Sequence, residues 1–175
     1  MSETIPAGSP QEAKLAAAEM LKLCKCDSGL PVNPFAICDM LGVQVKLVVL
    51  PNDVAGGILK EPNGQPIIFV NKADHPNRQR FTCAHELGHY YRRFKEQSYE
   101  YYDKRDTMSS LGLNPEEVFA NQFAANLLMP EEHVKTLFQS MKAESNEALA
   151  TLLLSTKLCV STEALSFRLK NLGLV

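Results

Sequence analysis

Apolar residues at helical intervals give way to a β-branched run in the first part of the chain. Residues 11–25 have the spacing of an amphipathic helix. Asn33 precedes Pro34, and an N-cap asparagine followed by proline predicts the start of a second helix, which Gly42 should end. The β-branched residues 43–49 then predict a strand. The chain therefore begins as two helices followed by a strand.

A hairpin is predicted next. Residues 57–61 and 65–70 have strand-like composition and flank Pro62-Asn63-Gly64, where asparagine and glycine tolerate the positive φ of a tight turn. We therefore expect a small antiparallel sheet in the first half.

The second half is predicted to be mainly helical. Asp74 and Asn77 are candidate N-caps of a long helix that ends near residue 94. Residues 95–113 are polar and lack periodicity, which predicts a long loop with room for a short strand. Further helices are expected at 115–129, from 130, at 144–156 and at 162–172. The expected fold class is α+β, a small antiparallel sheet packed by several helices. One domain should span residues 11–175 after a disordered tail at 1–10.

Composition and charge narrow the possible functions. The 175 residues carry a net charge of −2, with 45% apolar and 22% charged residues, which is ordinary for a soluble globular protein. Nothing in this balance indicates a nucleic-acid or membrane partner. The first ten residues lack the basic and apolar regions of a secretory signal, and the five cysteines are an odd number. We therefore expect a cytoplasmic protein with reduced thiols.

The candidate chemistry lies on the long central helix. His85 and His89 are four residues apart, so both imidazoles project from one face and can bind one Zn²⁺. Glu86 lies beside these ligands, where its carboxylate can take a proton from a metal-activated water and pass it to a leaving amine. A mid-helix glycine such as Gly88 costs about 1 kcal/mol relative to alanine. Close approach of the sheet or of a substrate backbone would account for it. This pattern predicts a zinc-dependent peptidase.

A catalytic zinc also needs a third protein ligand, and Glu116 and Glu117 are both candidates. Both also have a structural explanation. Asn114 and Pro115 are good first residues of a helix, and acidic side chains complement its N-terminus. The residues alone leave the choice between the two glutamates open.

Two longer runs of sequence carry more information than the histidine pair. Residues 80–89 are R-F-T-C-A-H-E-L-G-H, and residues 117–130 are E-V-F-A-N-Q-F-A-A-N-L-L-M-P. The first resembles the R-F-T-x-A-H-E-x-G-H motif of the ImmA/IrrE family of metallopeptidases. The second is similar to that family's E-x-x-A-N-x-F-A-x-x-L-L-M-P. The likeness spans about residues 30–140.

The resemblance implies a single α+β metallopeptidase domain with one zinc ion, manganese being the alternative metal. His85, His89 and Glu117 would bind the ion, and Glu86 would be the catalytic base. Asn121, one helical turn beyond Glu117, would orient a zinc-bound imidazole from outside the ligand set. Glu116 would then remain a structural residue.

The chain departs from the family pattern at two positions. Arg93 stands where the family often has a histidine, and Phe119 replaces a frequent acidic residue. The donor that stabilises the oxyanion or contacts substrate is not identified by either motif. The candidates are Tyr90, Tyr99, Tyr101, Tyr102 and Arg105.

The C-terminal segment 144–175 has a weak helix–turn–helix pattern. Only Arg168 and Lys170 lie on its second helix, too few cations for convincing phosphate contacts. Two packed helices that complete the fold are therefore expected there.

Three classes of function follow. The resemblance favours an endopeptidase that cuts a helix–turn–helix transcriptional repressor during a stress or mobile-element response. The alternative is a metal-containing protein that only binds its partner, as in a toxin–antitoxin pair. A DNA-binding regulator is the third class. The intact Glu86 favours the peptidase, because a protein that only binds has no need of the base.

Overall fold

The computed structural model describes residues 6, 8–26, 29–93, 99–104 and 114–175, with the backbone alone described at residues 99 and 101–104. Seven helices and four strands lie within these ranges. The helices are α1 (Pro10–Leu23), α2 (Pro34–Leu41), α3 (Pro76–Arg93), α4 (Pro115–Leu128), α5 (Glu131–Glu144), α6 (Glu147–Leu158) and α7 (Thr162–Asn171). The strands are β1 (Gln44–Val48), β2 (Val54–Lys60), β3 (Ile67–Asn71) and β4 (Tyr99–Lys104). One sheet and a helical C-terminal half confirm the predicted α+β class.

Side-chain caps determine where several helices begin. The Asn33 side chain accepts a hydrogen bond from the backbone two residues ahead at 3.1 Å, and that of Asn114 does the same at 3.0 Å. These two predicted helix starts are confirmed. The prediction for α3 is corrected, since neither Asp74 nor Asn77 supplies its cap. Instead Nδ1 of His75, directly before the helix, accepts from the backbone N–H of Asn77 at 3.2 Å.

The four strands form one sheet in the order β1-β3-β2-β4. β2 and β3 are antiparallel, and Asn63 in their connection has a φ of 58°, so the predicted hairpin is confirmed. β1, however, pairs with β3 in parallel, so the sheet is mixed and the prediction of an antiparallel sheet is wrong for this strand.

A buried asparagine lies where the two neighbours of β3 are connected. The side-chain amide of Asn71, at the end of β3, donates to the carbonyls of Leu50 at 3.3 Å and Val54 at 2.9 Å. Both carbonyls lie at the β1–β2 connection, so this side chain holds the connection against the end of β3. β1 and β2 lie on opposite sides of β3.

Part of the segment predicted as a long loop is the strand β4. It pairs antiparallel with β2 and lies at one edge of the sheet. The rest of that segment, residues 95–98 and 105–113, lies outside the described residues, as do residue 94, at the predicted end of the preceding helix, and residues 1–5 and 7 of the predicted tail.

Helix α3 occupies the centre of the fold. It packs against α4, against strands β2 and β3, and against α2, while α1 packs on α4. Every residue from Thr82 to His89 is buried. The motif of interest therefore lies in the core. At the surface, Glu131 of α5 links two elements, because it pairs with Lys14 of α1 and with Lys135, each at 2.5 Å.

The last two helices are bent by 110° relative to each other. Arg168 of α7 is buried, donating from Nε to the carbonyl of Met129 at 3.1 Å and from a terminal nitrogen to Asn126 Oδ1 at 2.8 Å. One of the two basic residues on α7 thus ties it to the end of α4. In the described part of the chain, α6 and α7 meet the length and apolarity of a membrane span only as a bent pair, and no single helix does.

Candidate metal centre

The two histidines meet on the buried face of α3. His85 is 2% exposed and His89 1%, and their ring centroids are 4.8 Å apart in an edge-to-face arrangement. The two Nε2 atoms are 3.1 Å apart. Burial lowers the pKa of the His89 imidazole, outweighing the opposite effect of its hydrogen bond to Glu117. The neutral form, which binds a metal, is therefore favoured.

Helix α4 brings Glu117 to this pair. Its side chain is 4% exposed, with Oε1 at 3.1 Å from His89 Nε2 and Oε2 at 3.5 Å from His85 Nε2. Zinc bonds of about 2.0–2.1 Å at tetrahedral angles place neighbouring ligand atoms about 3.3 Å apart. The three observed separations cluster around that value, so two imidazoles and one carboxylate fit three corners of a tetrahedral site. Among the described residues these three form the only such group of metal-ligating side chains.

Asn121 sets the orientation of one imidazole. Its Oδ1 lies 3.0 Å from Nδ1 of His85. An acceptor at that distance requires Nδ1 to carry the ring proton, which leaves the Nε2 lone pair free to face the metal position. Asn121 follows Glu117 by one turn of α4, so one face of this helix supplies both the carboxylate and the orienting amide.

Gly88 explains how closely the two helices approach. A Cβ built at Gly88 would lie 3.0 Å from the Cα of Ala120 and 3.3 Å from Cβ of Phe123. The expectation that the sheet or a substrate requires this glycine is therefore corrected, because the neighbour is the backbone of α4. The absence of a side chain lets α4 lie close enough for Glu117 to reach the histidines.

The second glutamate has a different partner. Glu116 pairs with Arg93, the terminal residue of α3, at 2.5 Å, and the two side chains are 39% and 25% exposed. Arg93 is one of the two departures from the family pattern, and the ion pair gives it a role that local sequence rules did not predict. Glu116 thus lies toward solvent while Glu117, one residue later, faces the histidines.

Glu86 is the most enclosed charged side chain of the motif, with 0% exposure. It follows Thr82 by one turn of α3, and Thr82 lies against β2, since its Cγ2 would be 2.5 Å from a Cβ built at Gly56. Glu86 therefore belongs to the face of α3 that packs on the sheet. Its carboxylate is adjacent in sequence to a ligand without being one of the three ligand groups.

The predicted oxyanion candidates divide into two groups. Tyr90 is partly buried, and burial together with the nearby Cys38 thiol raises the pKa of its phenol. Cys38 also contacts Cys83 at 3.6 Å between the sulfur atoms. Tyr90 therefore lies on the side of α3 that faces α2. For Tyr99, Tyr101 and Tyr102 the side chains, and for Arg105 the whole residue, lie outside what the structure describes.

Comparison with curated proteins gives no match to this chain. The family model Peptidase_M78, described as the IrrE N-terminal-like domain, matches residues 38–170. The matched range contains all three clustered ligands, Glu86 and Asn121, and it begins within α2, so α1 lies before it. Because the match covers well over half of the sequence, the chain belongs to the Peptidase_M78 family of metallopeptidases.

Proposed function

We propose that this protein is a zinc-dependent endopeptidase of the cytoplasm that cuts a helix–turn–helix transcriptional repressor at one site. The observation that carries the proposal is the cluster of His85, His89 and Glu117, whose ligand atoms have the separations of a tetrahedral zinc site. Zinc is favoured over manganese because nitrogen ligands bind zinc more strongly than manganese.

Each residue of the site then has one role in peptide hydrolysis. A zinc ion in this site would act as a Lewis acid for the scissile carbonyl and for the attacking water. The Glu86 carboxylate accepts the proton that the water loses and delivers it to the nitrogen of the leaving amine. Asn121 keeps His85 in the tautomer that presents Nε2.

The burial of Glu86 supports hydrolysis over simple partner binding. Moving a carboxylate out of water destabilises a fold unless other groups compensate for the lost hydration. A protein that used the metal only to hold a partner would have no need of a carboxylate at this position. A buried carboxylate directly after a metal ligand on α3 therefore supports hydrolysis over binding alone.

The enclosure of the ligands supports a selective substrate. His85, His89 and Glu117 are each between 1% and 4% exposed, so the rigid surface of a folded protein cannot reach them. A substrate must present a flexible segment, and docking elsewhere must hold that segment in place. A regulator with a linker beside its helix–turn–helix domain meets both conditions.

The first experiment separates ligand from base. Glu117→Ala should lose tight zinc binding, whereas Glu116→Ala, a glutamate in the adjacent position, should retain it. Glu86→Gln should retain both metal and fold but reduce hydrolysis by about 10²- to 10⁴-fold, because no group accepts the proton of the water. Elemental analysis and zinc titration calorimetry measure the first effect. Zinc lost in the Glu116 variant and kept in the Glu117 variant would refute the assigned ligand set.

The second experiment concerns the substrate. Zinc-loaded protein should cut a helix–turn–helix repressor encoded near its gene into two discrete fragments, while the Glu86→Gln protein leaves it intact. Casein serves as the control for unselective proteolysis. Digestion of casein as fast as any repressor would point to a general protease. Stable repressor binding without any cut would support the binding-protein alternative.

A further inference from the structure

A groove of about 900 Å³ lies between the N-terminal part of α3 and the turn that joins α6 to α7. Phe81 forms its wall on α3, Leu152 and Phe167 line the opposite side, and Met129 lies between them. This volume falls in the range of pockets that bind small ligands or side chains of a partner.

The groove exposes apolar side chains that the fold does not need to expose. Leu152 is 52% exposed and Phe167 60%, whereas Met129 in the same groove is 2% exposed. Of the charged groups that line it, Arg78 is cationic and Glu163 anionic, so they offset each other. A contiguous apolar surface with little net charge indicates an apolar ligand.

The walls of the groove are held in place by the partly buried Arg80 and the buried Arg168. Arg80 of α3 donates from Nε to the carbonyl of Cys159, in the α6–α7 turn, at 3.2 Å. Arg168 fixes α7 to the end of α4 through its bonds to Met129 and Asn126. These bonds cross between the elements that form the groove, so the groove is built into the fold and does not have to form when a ligand arrives.

The groove adjoins the metal centre at Phe81. The Phe81 ring is 6.4 Å from the ring of His85 between centroids, tilted by 35°, and lies one turn before it on α3. Arg78 covers the Phe81 ring from the outer side, with its guanidinium carbon 5.8 Å from the centroid. The metal ligands do not line the groove themselves, so Phe81 is the surface that both regions share.

We propose that this groove is a specificity subsite that binds an apolar side chain of the polypeptide substrate near the scissile bond. The proposal rests on the proposed peptidase function and adds the chemistry that the enzyme selects. Aliphatic and aromatic residues should be preferred there over acidic ones, because Leu152 and Phe167 expose apolar surface and Glu163 offsets the charge of Arg78.

The test uses tripeptide hydroxamates, whose chelating group binds a catalytic zinc ion while the side chains probe the adjacent surface. In one series the hydroxamate is at the N-terminal end of the peptide, and in the other it is at the C-terminal end. Each series contains one compound with leucine and one with aspartate at the second residue. In one series the leucine compound should bind the zinc-loaded protein at least about tenfold more tightly than the aspartate compound. Leu152→Glu and Phe167→Glu should each remove that preference. Leu153→Glu is the matched control, since Leu153 is 47% exposed on the same helix but does not line the groove.

Each outcome has a separate meaning. Equal binding of the leucine and aspartate compounds in both series, or a preference that survives in the Leu152 and Phe167 variants, overturns the subsite and leaves the metallopeptidase function standing. Failure of every hydroxamate to bind zinc-loaded protein overturns the proposed function, and this inference with it. Sedimentation velocity adds one further outcome. A dimer dissociated by Leu152→Glu but not by Leu153→Glu would mean that a second copy of the chain occupies the groove, which also overturns the subsite.

Discussion

Replacing Gly88 with alanine tests whether the approach of two helices builds the metal centre. Alanine in a helix interior is favoured over glycine by about 1 kcal/mol, so local propensity alone predicts a more stable protein. The added methyl group, however, would lie 3.0 Å from the Cα of Ala120 and 3.3 Å from two atoms of Phe123. The nearest of these is backbone, so rotation of a side chain cannot relieve the contact.

The expected change in the free energy of unfolding follows from these two opposing effects. Overpacking of this kind costs about 1–3 kcal/mol, which outweighs the gain in propensity and leaves a net destabilisation of about 0–2 kcal/mol. At about 2–4 °C per kcal/mol for a protein of this size, the melting temperature should fall by up to about 8 °C. The metal centre should suffer more, because any outward shift of α4 moves Glu117 away from both histidines. Zinc affinity should therefore drop by about tenfold or more even where the fold is nearly intact.

Thermal unfolding of the metal-free and zinc-loaded proteins, together with zinc titration against a competing chelator, measures both effects. Gly29→Ala is the control, because a Cβ at Gly29 would have nothing within 4 Å. Gly56→Ala is the control for a severe steric clash, because a Cβ there would lie only 2.6 Å from the carbonyl oxygen of Phe69. If Gly88→Ala melts at a higher temperature than the parent and binds zinc equally well, then close contact with α4 is not what requires the glycine.

Two further predictions concern side-chain partners. Asn121→Leu should weaken zinc binding by about 10- to 100-fold with little loss of stability, whereas Asn121→Asp, which keeps an acceptor for Nδ1 of His85, should retain it. Zinc titration measures the affinity of both variants. If Asn121→Leu binds zinc as tightly as the parent protein, the orienting role of Asn121 is refuted. Hydrogen bonds from its two lysine partners lower the pKa of Glu131 to about 2 from 4.5. The stability it contributes is complete above pH about 4.5 and is lost as the pH falls toward about 2, so Glu131→Gln should flatten the acid limb of the unfolding curve.

Much of the fold could be predicted because the relevant signals are local. Asn33 and Asn114 cap the helices that follow them, and the turn at Asn63 joins two antiparallel strands, since each depends only on residues a few positions away. The direction of β1 is different. It depends on pairing with β3, more than twenty residues later in the chain, which lies between β1 and β2 in the sheet. No periodicity in β1 itself carries that information.

In the candidate site, too, some features depend on local residues and others on packing between distant elements. The spacing of His85 and His89 places both on one face of any helix, so their meeting was predictable from the sequence. The choice between Glu116 and Glu117 was not, because it depends on the rotation of α4 relative to α3. Family resemblance supplied that choice, and the geometry agrees with it.

The groove could not be predicted from the sequence for a further reason. Apolar residues at helical spacing in α6, such as Leu149, Leu152 and Leu153, predict a face packed against the protein, yet each is between 44% and 52% exposed. Periodicity tells which residues share a helix face but not whether another element covers that face.

Two contacts together determine which glutamate faces the metal centre. Consecutive residues on a helix point about 100° apart, so Glu116 and Glu117 cannot both face the histidines. The pairing of Arg93 with Glu116 keeps that carboxylate toward solvent, while the buried apolar face of α4 sets the rotation of the helix. Gly88 sets the distance between the helices, since α4 backbone occupies the space of its missing side chain. With this rotation and this distance, Glu117 reaches both imidazoles.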